Sequence, residues 1–346
     1  GWGLALGDPG PDDDVPTLIR NPKPIRIIRP VFEFLGTIPG YREKDISLFF
    51  LVFFSIFYGM IVGDAAYGMI FLVISFFIRF LGKPSRKKNL FSYLLMLTSA
   101  MTIIWGAITG TWFNISPEII TTTPPFSWFI IPQMTATAGN DTTAFLMHLC
   151  FIIGAVHLTL AHLWAFLGKL PRLKSVTDLG WIGMIWGGYF IIRTLVLKMD
   201  LFPPTPYLFA GGFLTVILFN EQNGKVLKGM LTGLAKFPFT FLSSISALAD
   251  IISYVRLFAV GLASVKVEEA FNNMAASFGF EFPNIIGAVL ILLFGHGLNL
   301  VLGIMSVIVH GVRLNMLEFS GHLGQEWTGR AYRPFKSSES VGEHGT

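Results

Sequence analysis

Two charged residues, Asp250 and Arg256, stand near the middle of one long apolar run that spans residues 239–265. An Asp or Arg at the centre of a bilayer costs about 2.5–3.5 kcal/mol on insertion scales, so a chain that keeps both has a partner or a task for them. The chemistry open to such a pair is ion handling, with one titratable group and one fixed cation. Six residues separate them, about 120° around a helix, whereas side chains that touch along a helix are three or four apart. Direct pairing within the helix is therefore not expected, and a structural pair with another helix is the alternative to a functional role. Ser243, Ser246, Asp250 and Ser253 step by 3, 4 and 3 and form one stripe. Glu268 lies 18 residues beyond Asp250, about five whole turns, and returns to that face, while Arg256 points away from it. Lys266, Glu268 and Glu269 also suit an outer surface, where the helix continues through a more polar stretch, 266–282. A second run, 284–312, carries His296, Asn299, Gly303, Ser306, His310 and Arg313 at steps of 3, 4, 3, 4 and 3. Gly303 and Ser306 would equally allow close helix packing. Two polar stripes on consecutive spans point to a hydrated pathway between or beside them.

The elements that must hold these residues are membrane helices. Of 346 residues, 53% are hydrophobic and 13% charged, against roughly 25% charged in soluble domains. With 34 Phe and 8 Trp, disorder is excluded as well. The class that remains is an all-α polytopic membrane protein. Eight spans are expected, at 46–63, 65–81, 90–113, 143–167, 179–197, 207–219, 239–265 and 284–312, with a tight turn near Gly63–Asp64 between the first two. The last two spans are expected to be long and tilted. Lys83, Arg86, Lys87 and Lys88 follow span two; Lys169, Arg172 and Lys174 follow span four; Lys225, Lys228 and Lys236 follow span six; Arg330, Arg333 and Lys336 follow span eight. The loop 114–142 carries no Lys or Arg, so basic loops alternate with non-basic ones, and the positive-inside rule puts both ends of the segment in the cytoplasm. Arg193 and Lys198, near an outer end, depart mildly from that pattern.

Residues 1–43 are polar and proline-rich, with Asp12, Asp13 and Asp14 in a row, and read as a cytoplasmic linker into the membrane. Residues 44–320 read as the transmembrane domain and 321–346 as a cytoplasmic tail. The chain begins Gly-Trp-Gly and shows no signal-peptide pattern, so a piece of a longer protein is expected. Its net charge of +4 requires no nucleic acid. Cys150 is the single cysteine, so no intrachain disulfide forms. His148, His157 and His162 do not share one helix face and no Cys or carboxylate cluster joins them, so neither a metal nor another cofactor is expected. No phosphate-binding loop or nucleophile elbow occurs, and hydrolysis by this chain alone is not expected.

The segment Ala249-Asp250-Ile251-Ile252-Ser253-Tyr254-Val255-Arg256-Leu257-Phe258-Ala259-Val260-Gly261-Leu262-Ala263 resembles the signature helix of the large membrane subunit of V-type and A-type rotary ATPases, called subunit a in eukaryotes and subunit I in bacteria. His310-Gly311-Val312-Arg313-Leu314-Asn315, then Glu318-Phe319 and Arg333-Pro334-Phe335, are similar to its closing helix and tail. Gly59-Met60-Ile61-Val62-Gly63-Asp64-Ala65-Ala66-Tyr67-Gly68 resembles its first hairpin, and Asp14-Val15-Pro16-Thr17 its lead-in to the membrane. The resemblance implies a stator subunit that provides ion half-channels beside a rotor ring of proteolipid subunits. Arg256 would match the arginine that faces each ring carboxylate, and Arg313 the second arginine. Peripheral-stalk and central-stalk partners would engage through a large cytoplasmic arm that this chain lacks. Three positions depart from the eukaryotic pattern: Leu242 and Gly303 stand where Glu is usual, and Ser264 where His is usual. Phe258, where eukaryotic members usually carry Trp, favours a bacterial or archaeal plasma membrane. The half-channel groups expected here are Ser246, Asp250 and Ser253 on the cytoplasmic side and His296, Asn299 and Glu268 on the outer side, with Ser306 and His310 also on the ion pathway. The rival reading is a self-contained secondary transporter that binds substrate at Asp250 and Arg256; it calls for an internal repeat and mid-helix breaks. A purely structural scaffold is the third reading.

Overall fold

The computed structural model describes residues 10, 13, 15–80, 86–115, 117–124, 126–135, 140–222, 224 and 226–332. Asp12, Asp14, Lys83, Lys225, Lys336 and the Arg333-Pro334-Phe335 tripeptide lie outside the described residues. The described chain is almost wholly helical. A short α1 (Arg29–Leu35) leads to α2 (Ser47–Val62) and α3 (Ala65–Phe80). Then come α4 (Arg86–Thr109), the short α5 (Pro117–Thr122), α6 (Asn140–Lys169), α7 (Val176–Leu197), α8 (Thr205–Phe219) and α9 (Val226–Ala235). The closing elements are α10 (Phe237–Ser253), α11 (Val255–Phe278), α12 (Asn284–Ser306) and α13 (Ser320–Leu323).

Apolar character all round a helix points to burial on most sides, and in α2 Leu48 and Val52 alone of its large apolar side chains are exposed. Its Phe50, Phe57 and Ile61 are fully enclosed, and α4, α11 and α12 all pack on it. The expected turn after it is present. Gly63 takes a left-handed φ of +72°, which a side chain would strain. Asp64 then caps α3, its Oδ1 accepting the N–H groups of Ala66 (2.7 Å) and Tyr67 (3.2 Å). At 16 residues each, α2 and α3 are about 24 Å long. Small residues let these helices close: a Cβ on Gly59 would stand 2.9 Å from the Met101 carbonyl oxygen, and one on Gly261 2.7 Å from that of Met60.

Five helical stretches are long and apolar enough to cross a membrane: Lys88–Thr109, Thr142–Lys169, Leu173–Leu197, Phe237–Phe278 and Asn284–Leu323. The first three bury 33–39% of their most apolar window within the protein, but the last two only 22% and 17%. Leu242, Ile245, Leu293, Phe294, Met305 and Leu317 are among the large apolar side chains these two helices leave outside.

Neither long helix is regular. At Tyr254, between α10 and α11, the backbone tightens: its N–H donates to the Ile251 carbonyl, and the N–H of Leu257 donates to the Tyr254 carbonyl, both three-residue bonds. The constant 3.6-residue register that carried Asp250 onto the face of Glu268 does not run through this turn. Beyond α12 the backbone loosens into π turns at Val307–Gly311 and Leu314–Phe319, with Val312 and Arg313 between them, before α13. The helix thus runs eleven residues past the expected end at 312.

The segment read as an exposed linker carries α1, and Ile28 is buried. Phe32 packs on Phe50 and Trp327. Two residues at each end pair as parallel strands, Pro16 with Arg330 and Thr17 with Ala331, so the lead-in and the tail meet.

Candidate functional site

The polar groups gather in three places along α10–α13. One end of the bundle holds a string built on α3, α11 and α12. His296 joins the Tyr67 hydroxyl through Nδ1 (2.8 Å) and the Asn272 amide oxygen through Nε2 (3.1 Å). The Asn299 amide donates to Glu268 Oε1 (2.9 Å), and Ser264 donates to the Asn299 oxygen (3.2 Å). Glu268 is only 1% exposed, so the surface position open to it on sequence grounds is overturned. α12 presses its 296–299 turn against that side of α11, and the carboxylate is enclosed. Asp64, itself fully buried, is a near neighbour of Glu268. Its Oδ2 and the Oε2 of Glu268 accept no hydrogen bond from the described residues. A cavity of about 700 Å³, lined by Tyr67, Phe113, Asn272 and His296, opens onto this string.

The second place holds the arginines. Arg256 is half-buried, and its Nη1 is buried without a partner among the described residues. His310, also half-buried, lies within electrostatic reach of both Arg256 and Arg313. Arg313 is 53% exposed, on the apolar face that α12 and its continuation leave uncovered, and its Nε stands 3.7 Å from Glu318 Oε1.

The third place holds Asp250. It does not pair with Arg256. Its Oδ2 is 3.1 Å from Nε2 of His322, on α13. Ser253 donates to the Asp250 carbonyl (2.6 Å) and to Glu318 (3.3 Å), which ties this group to the arginines. Ser246 is exposed on α10 and Ser306 half-buried at the end of α12; neither makes a hydrogen bond among the described residues.

Behind the tight turn at Tyr254 sits His157 of α6. Its ring is stacked between Phe53 (3.8 Å) and Phe319 (4.4 Å), and its Nδ1 meets the Tyr254 hydroxyl at 2.8 Å. The position that Arg256 takes up two residues later therefore rests on a packed aromatic column.

Sequence reasoning proposed Asp250, Ser253, Glu268, His296 and Asn299 for such groups, and the structure brings each into a polar cluster. It missed Asp64, Tyr67, Asn272, Glu318, His162 and His322 as site residues. Asp64 was legible, as the charge that separates an 18-residue apolar run from the 17-residue run after it. His322 was not, because it lies past the expected end of the last span.

These features define a polytopic helical membrane protein whose two least covered helices carry two arginines, flanked by polar clusters on either side. No family model matches the chain. Curated relatives are clear. The chain is 40% identical over 351 residues to a V-type ATP synthase subunit I of Borreliella burgdorferi, covering 97% of this chain and 56% of that protein. It is 36% identical to a V-type ATP synthase subunit I of Treponema pallidum (97% and 54%). It is 28% identical to an A-type ATP synthase subunit I of Methanocaldococcus jannaschii (95% and 50%). Over nearly its whole length the chain is homologous to proteins named V-type or A-type ATP synthase subunit I, and it spans about half the length of these relatives.

Proposed function

We propose that this chain is the membrane part of the stator subunit of a rotary V/A-type ATPase or ATP synthase. It provides two half-channels for H⁺ or Na⁺ and the arginine that faces the rotor-ring carboxylate. The observation that carries the reading is the placement of Arg313 and the partly unpaired Arg256 on the two long helices that bury least. A ring of apolar proteolipid subunits is the partner such a face suits. A guanidinium there favours an ionised ring carboxylate, so each arriving carboxylate releases its ion, and direct leakage between the half-channels is blocked. Each charge that crosses about 100 mV carries roughly 2.3 kcal/mol.

In this reading the five long spans and the three shorter apolar helices α2, α3 and α8 make eight crossings. The basic loops and both ends of the segment 44–320 lie on the cytoplasmic side of a bacterial or archaeal plasma membrane. The Glu268 string, with its cavity, serves the outer half-channel; Asp250, Ser253 and Glu318 serve the cytoplasmic one. Glu268 replaces the carboxylate absent at Gly303, since it reaches Asn299, one turn before that glycine. Peripheral and central stalk subunits bind through the part of the protein this chain does not span.

A pull-down from the native membrane in mild detergent, followed by mass spectrometry, tests this reading. It expects a ring-forming proteolipid and soluble ATPase subunits. Recovery of the chain alone would favour the transporter reading, which the tightened turn at Tyr254, beside Asp250 and Arg256, otherwise accommodates.

A further inference from the structure

Asp250 is the inner end of a longer chain of contacts. His322 meets Asp250 through Nε2 (3.1 Å) and His162 through Nδ1 (2.9 Å). His162, on α6, uses Nε2 for His322 and Nδ1 for Asp178 Oδ1 (3.4 Å), at the start of α7. Asp178 then meets Lys169 at 2.8 Å, and the Lys169 amine is 40% exposed at the end of α6. Four helices, α6, α7, α10 and α13, thus place two imidazoles nose to tail between two carboxylates. Trp181 stacks flat on His162, and the imidazoles and Asp178 are shielded from bulk water.

Counting hydrogens shows what this arrangement does. There are three gaps between acceptor atoms, and each needs one hydrogen to be a hydrogen bond. Two neutral imidazoles bring one N–H each. The chain is complete only with one further proton, carried by a carboxyl at one end or by one of the imidazoles as imidazolium. Take that proton on Asp178. The Asp178 O–H faces His162 Nδ1, the His162 Nε2–H faces His322 Nδ1, and the His322 Nε2–H faces Asp250. If each hydrogen crosses its gap, one O–H and two N–H bonds break, two N–H bonds and one O–H form, and one net proton has moved from Asp178 to Asp250. Both imidazoles end in the opposite tautomer and must turn over before the next proton. The 2.9 Å gap between the imidazoles leaves no room for a metal cation, which would need about 2.0 Å or more on each side.

We propose that Asp178, His162, His322 and Asp250 form a proton relay that serves the cytoplasmic half-channel, with Lys169 at its mouth. The relay rests on the reading of Asp250 as a half-channel group, and it commits the translocated ion to H⁺. The charged and titratable groups around it are Lys44, beside Lys169 and Asp178; His157, beside His322; and Glu318 and Tyr254, beside Asp250. None of them bridges a gap in the chain.

The test uses the intact ATPase in inverted membrane vesicles, with ATP-driven H⁺ and Na⁺ uptake read separately. His322→Gln and His162→Gln are expected to lower H⁺ uptake about 100-fold, the lower end of the range for removing a positioned proton carrier. His322→Ala is expected to regain flux when imidazole is added, and to lose the wild-type solvent deuterium isotope effect. A purely structural role would move neither of these. Should the histidine variants fail to assemble, Asp178→Asn, which keeps shape but cannot carry a proton, is expected to show the same loss. Normal H⁺ uptake by the assembled histidine or Asp178→Asn variants overturns the relay, as does Na⁺ uptake without H⁺ uptake. Arg256→Gln, run alongside, separates this failure from failure of the stator reading, because only the latter leaves Arg256→Gln pumping.

Discussion

Arg313 and Glu318 are five positions apart in one helix, yet their side chains stand 3.7 Å from each other. In a regular α-helix that spacing points two residues about 140° apart. The π turn over Leu314–Phe319 closes the angle. The exposed guanidinium and the buried carboxylate therefore lie one above the other, and Glu318 in turn accepts a hydrogen bond from Ser253 on the neighbouring long helix. A backbone irregularity thus links the two helices that carry the arginines.

Glu318→Ala removes that link and a carboxylate within electrostatic reach of both arginines. Coupled ion transport is expected to slow about tenfold, or about 1.4 kcal/mol in barrier, with the complex still assembled. Transport measured in reconstituted vesicles, at matched protein content, checks this; an unchanged rate would leave Glu318 a packing residue only.

The outer string makes a sharper distinction. Glu268→Gln keeps an oxygen to accept from Asn299 but cannot exchange an ion, so transport is expected to fall while stability holds. Glu268→Ala leaves the buried Asn299 amide without that acceptor and is expected to cost about 1–3 kcal/mol as well. Thermal unfolding of the detergent-solubilised complex reads the second effect, vesicle uptake the first. Equal transport by wild type and Glu268→Gln would remove Glu268 from the pathway.

Tyr254→Phe deletes the hydroxyl that meets His157 Nδ1. Since His157 Nε2 has no partner among the described residues either, the variant leaves the imidazole without a hydrogen bond there. A loss of about 1–3 kcal/mol is expected. Transport is expected to fall with it, because the turn at Tyr254 sets the placement of Arg256. Retained melting temperature would show that the aromatic stack alone holds the turn.

Gly261→Ala places a Cβ 2.7 Å from the Met60 carbonyl oxygen, where backbone must move. Separation of α11 from α2 is expected to destabilise the bundle by about 1–3 kcal/mol. Gly297→Ala, with open space around it, is the matched control and is expected to be neutral. A similar loss in both variants would contradict the packing shown here.

What was legible in the sequence was whatever depends on local chemistry. Apolar run lengths located the spans, and Gly63–Asp64 marked the first turn. The polar steps along 239–265 and 284–312 found Asp250, Ser253, His296 and Asn299. What was not legible came from packing. A constant helical period was assumed through Tyr254 and as far as Arg313, but the tightened turn and the π turns change it. Glu268 therefore could not be placed by counting turns, and His322 lay beyond the last expected residue of its helix. The short helices α1, α5 and α9, of 7, 6 and 10 residues, fall below the run lengths that located the spans. The pairing of 16–17 with 330–331 joins two stretches that sequence reading had kept apart.

The central claim concerns Arg256, and ATP-driven ion uptake by vesicles carrying Arg256→Gln tests it most directly. The expected result is loss of uptake with the complex still assembled, and substantial loss for Arg256→Lys too, since a compact ammonium does not replace a planar guanidinium. Near-normal uptake by either variant would contradict the account.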